Sequence, residues 1–119
     1  MDLLTVLFRL LRGMDEVHVV NDLSKLKTVT KPAVAVTYEG TQRSSHSNNW
    51  ATNCAVHLFL GPAYTPDVEL AVAATAELIR DTLLTVDGVE FEDWLREAEE
   101  QLAQVPFVHL SISVYEVAG

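Results

Sequence analysis

Apolar residues at the start of the chain follow the spacing of a helix. They recur at positions i, i+1, i+4, i+5 and i+8, and they are Leu3, Leu4, Leu7, Phe8 and Leu11. This stripe predicts a first helix at about residues 2–12. After Gly13, the β-branched stretch at residues 16–20 predicts a short strand, because turn residues follow it directly.

The next two regular segments alternate between apolar and other side chains, which is typical of strands. They cover residues 33–39 and about residues 50–60. Residues 40–49 between them contain no aliphatic side chain and predict a long hairpin loop. Most hairpin loops have about two to five residues. We therefore expect this loop to be either disordered or ordered only when a partner covers it.

Residues 21–31 fit neither the helical nor the strand period. They run into Pro32, which favours an extended conformation for the residue before it. The segment therefore predicts a loop or arm, and its basic residues are Lys25, Lys27 and Lys31.

A second helix is predicted at about residues 66–85. Thr65 suits the N-cap, and Pro66 suits the first helical position. Asp67 follows, where its charge faces the positive end of the helix dipole. Along the helix, one apolar stripe lies opposite several acidic residues.

The remainder of the chain predicts a third helix and a final strand. Apolar residues between about 91 and 105 have a helical spacing, and Pro106 prevents the helix from continuing. The exposed face of this helix is acidic and contains Glu92, Asp93, Glu97, Glu99 and Glu100. Residues 107–117 alternate and predict a long strand with one polar face.

The predicted order is α-β-β-β-α-α-β, which favours the α+β class. We expect one domain over residues 1–119, with a mostly antiparallel sheet of about four strands and helices packed on one face. The apolar start is too short to span a bilayer, and no small-residue cleavage pattern follows it. A cytoplasmic location without membrane contact is therefore expected.

Charge separates the two halves of the chain. The net charge is −9 over 119 residues, and residues 1–60 carry +1 while residues 61–119 carry −10. A protein that wraps DNA needs a basic face to replace phosphate counterions. The acidic half therefore makes nucleic acid an unsuitable ligand for most of this surface.

The residues give little support for catalysis. The chain contains one cysteine, Cys54, which falls among apolar positions and predicts a buried side chain. It contains no glycine-rich phosphate loop and no Gly-x-Ser-x-Gly elbow. His57 and His109 fall on the less apolar faces of two strands, where they would converge if those strands were neighbours in register. We therefore expect no enzyme activity, no metal and no cofactor.

Interaction features stand out more clearly. The polar loop is flanked by aromatic, arginine and histidine residues, which are common in protein interfaces. These residues are Tyr38, Arg43, His46 and Trp50. Together they favour a protein that assembles with others.

Residues 31–83 carry a resemblance to a known family. The run from Lys31 to Val36 is followed by Tyr38, a polar loop, Trp50, an alternating strand and a helix that opens around Pro66. This pattern resembles the lambda-type tail terminator (minor tail protein U) family of long-tailed bacteriophages. The first helix, the short strand and the closing strand occur in the same order in that family. Residues 90–104 depart from it.

The resemblance implies a small α+β subunit of the virion tail that assembles in the host cytoplasm. Such subunits form a homohexameric ring on the tail tube, end tube polymerisation and provide the head-attachment surface. The implied partners are other copies of the chain, the tail tube protein and the head-tail connector protein. DNA would pass through the ring without specific binding. The acidic residues near 92–100 would then face the lumen and repel phosphate.

Under the same resemblance, the loop at residues 40–49 and the arm at residues 21–31 would become ordered against tube or neck subunits. Two alternatives stay open. One is another phage neck or tail-completion protein. The other is a small cytoplasmic α+β binding domain or enzyme that uses the face with His57 and His109.

Overall fold

The structure is a computed structural model that describes residues 3–20, 31–43, 50–63, 65–98, 100–102 and 105–116. Its elements, in chain order, are α1 (Leu3–Arg12), β1 (His18–Val19), β2 (Ala33–Arg43), β3 (Trp50–Leu60), α2 (Pro66–Leu83), β4 (Val89–Phe91), β5 (Leu95–Arg96), β6 (Glu100–Leu102) and β7 (Val105–Glu116). The predicted α+β class is confirmed. Both of the first two predicted helices are present, with ends within two residues of the prediction.

The strands pair in the order β1-β2-β3-β7-β4, and β5 and β6 also pair with β7. β1 runs parallel to β2, whereas the other described pairs are antiparallel. The mostly antiparallel character predicted from the alternating strands is therefore confirmed. The long strands β2, β3 and β7 form the centre of the sheet.

Both helices contribute apolar side chains to the buried cluster and pack on one face of the sheet. The strand residues of this face include Val34, Val36, Val56, Leu58, Ile112 and Val114, and they are buried. The helices add Leu3, Leu7 and Leu11 from α1, and Val72, Ile79 and Leu83 from α2. Cys54 belongs to the same cluster, so its predicted burial is also confirmed. We call this side of the sheet the covered face.

Local sequence sets the start of α2. The Thr65 hydroxyl accepts a hydrogen bond from the Val68 amide at 3.3 Å, and Pro66 occupies the first helical turn. Within the described residues, neither helix combines the length and the apolar character needed to cross a membrane.

The predicted third helix is wrong. Residues 89–102 contain β4, β5 and β6, three strand segments that pair along β7. The described order is therefore α-β-β-β-α-β-β-β-β instead of α-β-β-β-α-α-β, and the strand count exceeds the predicted four. One extra residue separates β4 from β5 relative to β7, and another separates β5 from β6. Each is a β-bulge.

The bulges explain why the sequence pattern predicted a third helix. In a regular strand, residues on one face are two positions apart, and an extra residue changes this spacing to three. Phe91 and Trp94 both pack against the covered-face cluster across the first bulge. Their spacing therefore imitates the i, i+3 pattern of a helix.

The hairpin loop is shorter than predicted. β2 continues through Arg43, which pairs with Trp50, so residues 40–43 belong to a strand. Glu39 is an extra residue between Tyr38 and Gly40 in this ladder, and Gly40 has a φ of 126° that favours glycine. Residues 44–49 of the predicted loop lie outside the described residues.

Candidate functional site

The side of the sheet opposite to the helices is called the open face. Side chains of β2, β3 and β7 that point to this side include Thr37, His57, His109, Ser111 and Ser113. In the ladder, His57 lies opposite Ser111 and Phe59 lies opposite His109. The two histidines are therefore on neighbouring strands in compatible register. Their Nδ1 and Nε2 atoms are 2.9 Å apart, which confirms the predicted convergence.

A chain of hydrogen bonds extends from this histidine pair to Glu39. The Thr37 hydroxyl donates to Glu39 Oε1 at 2.5 Å and lies 2.9 Å from His57 Nε2. Because the hydroxyl proton is directed at the carboxylate, His57 Nε2 is the donor to Thr37. A neutral His57 then accepts through Nδ1, and His109 Nε2 donates to it. For a neutral His57, the protons of the chain therefore point towards Glu39.

Packing holds the pair in place. His109 is 7% exposed and stacks on the Phe59 ring with centroids 4.4 Å apart. His57 is half-buried and links the buried His109 to the exposed Thr37. Chemically, the arrangement can hold a proton in a defined position and pass it along the chain.

A cleft of about 490 Å³ opens over this face. Its lining consists of Glu39, Asn53, Cys54, Ala55, His57, Glu92, Glu97, Ser111, Ser113 and Tyr115. Three of these residues are acidic, and none of the described lining residues is lysine or arginine. In the described part of the chain, no group of three or more histidine, cysteine or acidic residues is placed to hold a metal ion.

Hydrogen bonds orient the acidic rim of the cleft. Ser111 donates to Glu97 at 2.6 Å, and the Tyr115 hydroxyl donates to Glu90 at 3.3 Å. Partial burial, followed by the nearby charges of Glu90 and Glu92, raises the pKa of the Tyr115 phenol. Tyr115 therefore stays neutral and remains a donor at physiological pH.

The predicted acidic face is divided between the two sides of the sheet. Glu92 and Glu97 line the cleft, whereas Asp93 lies 3.2 Å from Arg80 of α2. The side chains therefore do not share one face of a helix. Glu100 belongs to β6, and Glu99 lies outside the described residues.

The predicted interface residues lie along the hairpin. Tyr38 is 58% exposed, and its hydroxyl contacts that of Thr41. Arg43 and Trp50 are opposite each other in the β2–β3 ladder. His46 lies outside the described residues. The three described positions therefore lie on the hairpin, with Tyr38 near its base and Arg43 and Trp50 at the far end of the ladder.

The predicted basic arm is only partly described. Lys31 is exposed directly before β2. Lys25 and Lys27 lie outside the described residues. A role of this arm in partner binding stays a prediction.

The outer side of α2 is a surface that the sequence analysis missed. Leu70 is 71% exposed and Leu84 is 66% exposed, and Leu78 is also exposed. Residues 70, 74 and 78 have the i, i+4, i+8 spacing of a second apolar stripe, which was the available signal. α2 therefore presents apolar side chains to solvent as well as to the core.

Polar contacts connect α2 to the edge strand. Arg96 donates two hydrogen bonds to Glu69, at 2.8 and 2.9 Å, and Trp94 donates to the Ala76 carbonyl at 3.0 Å. The bond to Arg96 lowers the pKa of Glu69, and the same bond raises the pKa of Arg96.

No protein-family model matches the chain, and no curated protein is significantly similar to it.

Proposed function

We propose that this chain is a structural subunit of the phage tail-terminator kind. In this proposal it forms a ring of about six copies, caps the tail tube, ends tube polymerisation and provides the surface to which the head connector attaches. The single observation that carries the proposal is the length of the β2–β3 hairpin, which extends past the described part of β7.

The ladder defines this extension. In the described register, β3 pairs with β7 as far as Asn53, opposite Tyr115. Among the described residues, 50–52 pair with β2 alone. A two-stranded ribbon is only marginally stable by itself in water. A projecting ribbon with exposed Tyr38 near its base is therefore suited to contact with another subunit.

The shape and element order give further support. The molecule measures 46 × 23 × 21 Å, so it is elongated. A first helix, a short strand, a hairpin, a helix and a closing strand follow each other in the order that the resemblance implies. The segment that departs from the family pattern coincides with the bulged edge strands.

The open face suits the wall of a channel for DNA. Glu39, Glu92 and Glu97 surround the cleft, without lysine or arginine among its described lining residues. Acidic groups repel phosphate and so allow DNA to pass without binding. In the proposed ring this face is directed towards the lumen. The hairpin and the arm that contains Lys31 contact tube or connector subunits.

This function is tested by measuring the mass of the assembled particle and the growth of tail tubes. Multi-angle light scattering over a concentration series is expected to show a species of about six times the 13.2 kDa chain mass. Substoichiometric addition to a polymerising tail tube protein is expected to stop tube growth. A chain that is monomeric at every concentration and leaves tube length unchanged would contradict the proposal.

A matched pair of variants locates the contact. Tyr38→Ala removes an exposed side chain from the hairpin and is expected to weaken capping without unfolding the protein. Leu95→Ala removes a side chain of similar exposure, 62%, from the edge strand and serves as the control. Equal capping by both variants would show that the hairpin is not the contact surface.

The histidine pair favours a second candidate, a small binding domain or enzyme that uses the open face. The observation is that His57 lines the cleft and lies 2.9 Å from His109. This candidate predicts a monomer or dimer and a ligand that shifts the imidazole resonances in NMR spectra.

Another neck or tail-completion protein would form a ring but leave tube length unchanged.

A further inference from the structure

The exposed side of α2 combines leucines with acidic residues. Leu70, Leu78 and Leu84 are exposed, and Glu77 and Asp81 lie on the same side of the helix. In the described part of the chain, neither acidic residue belongs to an ion pair. We call these five residues the acidic-leucine surface.

The exposed side of α1 carries the opposite charge. Arg9 and Arg12 are exposed in the last turn of this helix, which contains no acidic residue. The Arg12 guanidinium lies 5.3 Å from the centroid of the half-buried Phe8 ring. The ion pairs of the described residues involve Arg80 and Arg96, so both α1 arginines keep their charge available. We call Phe8, Arg9 and Arg12 the basic surface.

We propose that the acidic-leucine surface of one copy binds the basic surface of a second copy. The inference rests on the proposed function, because it assigns the contact between neighbouring subunits of the ring. Glu77 and Asp81 are four positions apart, and Arg9 and Arg12 are three apart. On a helix, both spacings place the Cβ atoms about 5–6 Å apart on one side. Two carboxylates can therefore face two guanidinium groups, with leucines beside Phe8.

This contact is head-to-tail, since it joins two different surfaces. In a bound pair, one copy still offers its unused basic surface and the other its unused acidic-leucine surface to further neighbours. Contacts of this type close into rings when the rotation between subunits allows it. The proposal thus gives a physical reason for a ring instead of a simple dimer.

Charge reversal provides the test. Arg9→Glu with Arg12→Glu makes the basic surface acidic, and Glu77→Lys with Asp81→Lys makes the acidic-leucine surface basic. Each double variant alone places like charges in every contact. The concentration at which half of the chains assemble is therefore expected to rise at least ~10-fold.

Mixing the two double variants in equal amounts is expected to restore assembly. In an alternating ring, every contact again joins opposite charges, because each variant keeps one unaltered surface. Light scattering measures the mass, and one variant with a cleavable tag shows that both are present in the same particle. Failure of the mixture to assemble, when the wild type does, overturns the inference.

The control reverses the same amount of charge elsewhere. Glu92→Lys with Glu97→Lys changes the open face, on the other side of the sheet from both helices. This variant is expected to assemble like the wild type. Thermal unfolding of all variants at low concentration checks that each is folded.

The outcomes separate the two proposals. A wild-type ring that is unaffected by Glu77→Lys with Asp81→Lys overturns the helix contact and leaves the proposed function standing. A wild-type chain that never assembles contradicts the proposed function, and the helix contact with it.

Discussion

The two faces of the sheet use the same strands in different ways. On the covered face, Val56 and Leu58 of β3 are fully buried against both helices. On the open face, the alternate residue His57 belongs to a hydrogen-bond chain. The covered face is therefore stabilised mainly by exclusion of apolar area from water. The open face combines paired polar groups with the buried Phe59 ring, which stacks on His109. The difference shows how one strand encodes a core and a polar surface with a period of two.

The difference also fixes the register of the sheet. Val56 lies opposite Ile112, and His57 lies opposite Ser111. A slip of one residue would move the valines to the open face and the imidazoles into the core. Burying imidazoles without their partners is costly. The contrast between the faces therefore specifies one pairing.

The largest expected effect is on the covered face. Leu58 is fully buried, and Leu58→Ala is expected to lower the free energy of unfolding by about 2–5 kcal/mol. Ser113→Ala on the open face removes an exposed hydroxyl and is expected to change it by less than about 0.5 kcal/mol. Urea denaturation measures both values. Similar losses for the two variants would show that the faces are not stabilised differently.

Much of the fold could be predicted from local patterns. The cap at Thr65 and the alternation around Val56 are both local, and the structure contains the corresponding helix and strand. The edge strands could not be predicted in this way. Their bulges are defined relative to β7, and a bulge is visible only when the partner strand and its register are known.

The candidate site shows the same limit. His57 and His109 could be placed on polar strand faces from the sequence, but they meet only because β3 pairs with β7 in one register. The exposed leucines of α2, such as Leu70, were missed for another reason. The apolar stripe through Val72 and Ile79 already explained how α2 packs against the sheet. The second apolar stripe was therefore not assigned to any contact.

A smaller effect is expected on the open face. Thr37→Val removes the hydroxyl between Glu39 and His57, and it is expected to cost about 0.5–1.5 kcal/mol of stability. It also releases the tautomer of His57, since the threonine hydroxyl is what makes Nε2 the donor. Nitrogen-detected NMR is expected to show His57 protonated on Nε2 in the wild type and a tautomer mixture in the variant.

A control lies in the same strand. Thr41→Val removes a hydroxyl that contacts Tyr38 and is expected to leave the imidazole resonances unchanged. A wild-type His57 protonated on Nδ1 alone would rule out the proposed direction of the hydrogen-bond chain.

The smallest effect is expected at the contact between the edge strand and α2, where the Arg96 guanidinium bonds the Glu69 carboxylate. This bond lowers the folded-state pKa of Glu69 below that of the unfolded chain. Its contribution to stability is therefore present above the usual glutamate range and is lost as the pH falls through the lowered pKa.

Glu69→Gln removes that dependence. The wild type is expected to melt slightly above Glu69→Gln near pH 7, and this difference is expected to vanish at acid pH. High salt should also reduce the difference, because the pair is largely exposed to solvent. Glu16→Gln makes the same chemical change in an exposed turn outside the described ion pairs. The change in its melting temperature between neutral and acid pH is expected to equal that of the wild type. A Glu69→Gln difference that grows on acidification would have the wrong sign for this pair and would contradict the bond between Arg96 and Glu69.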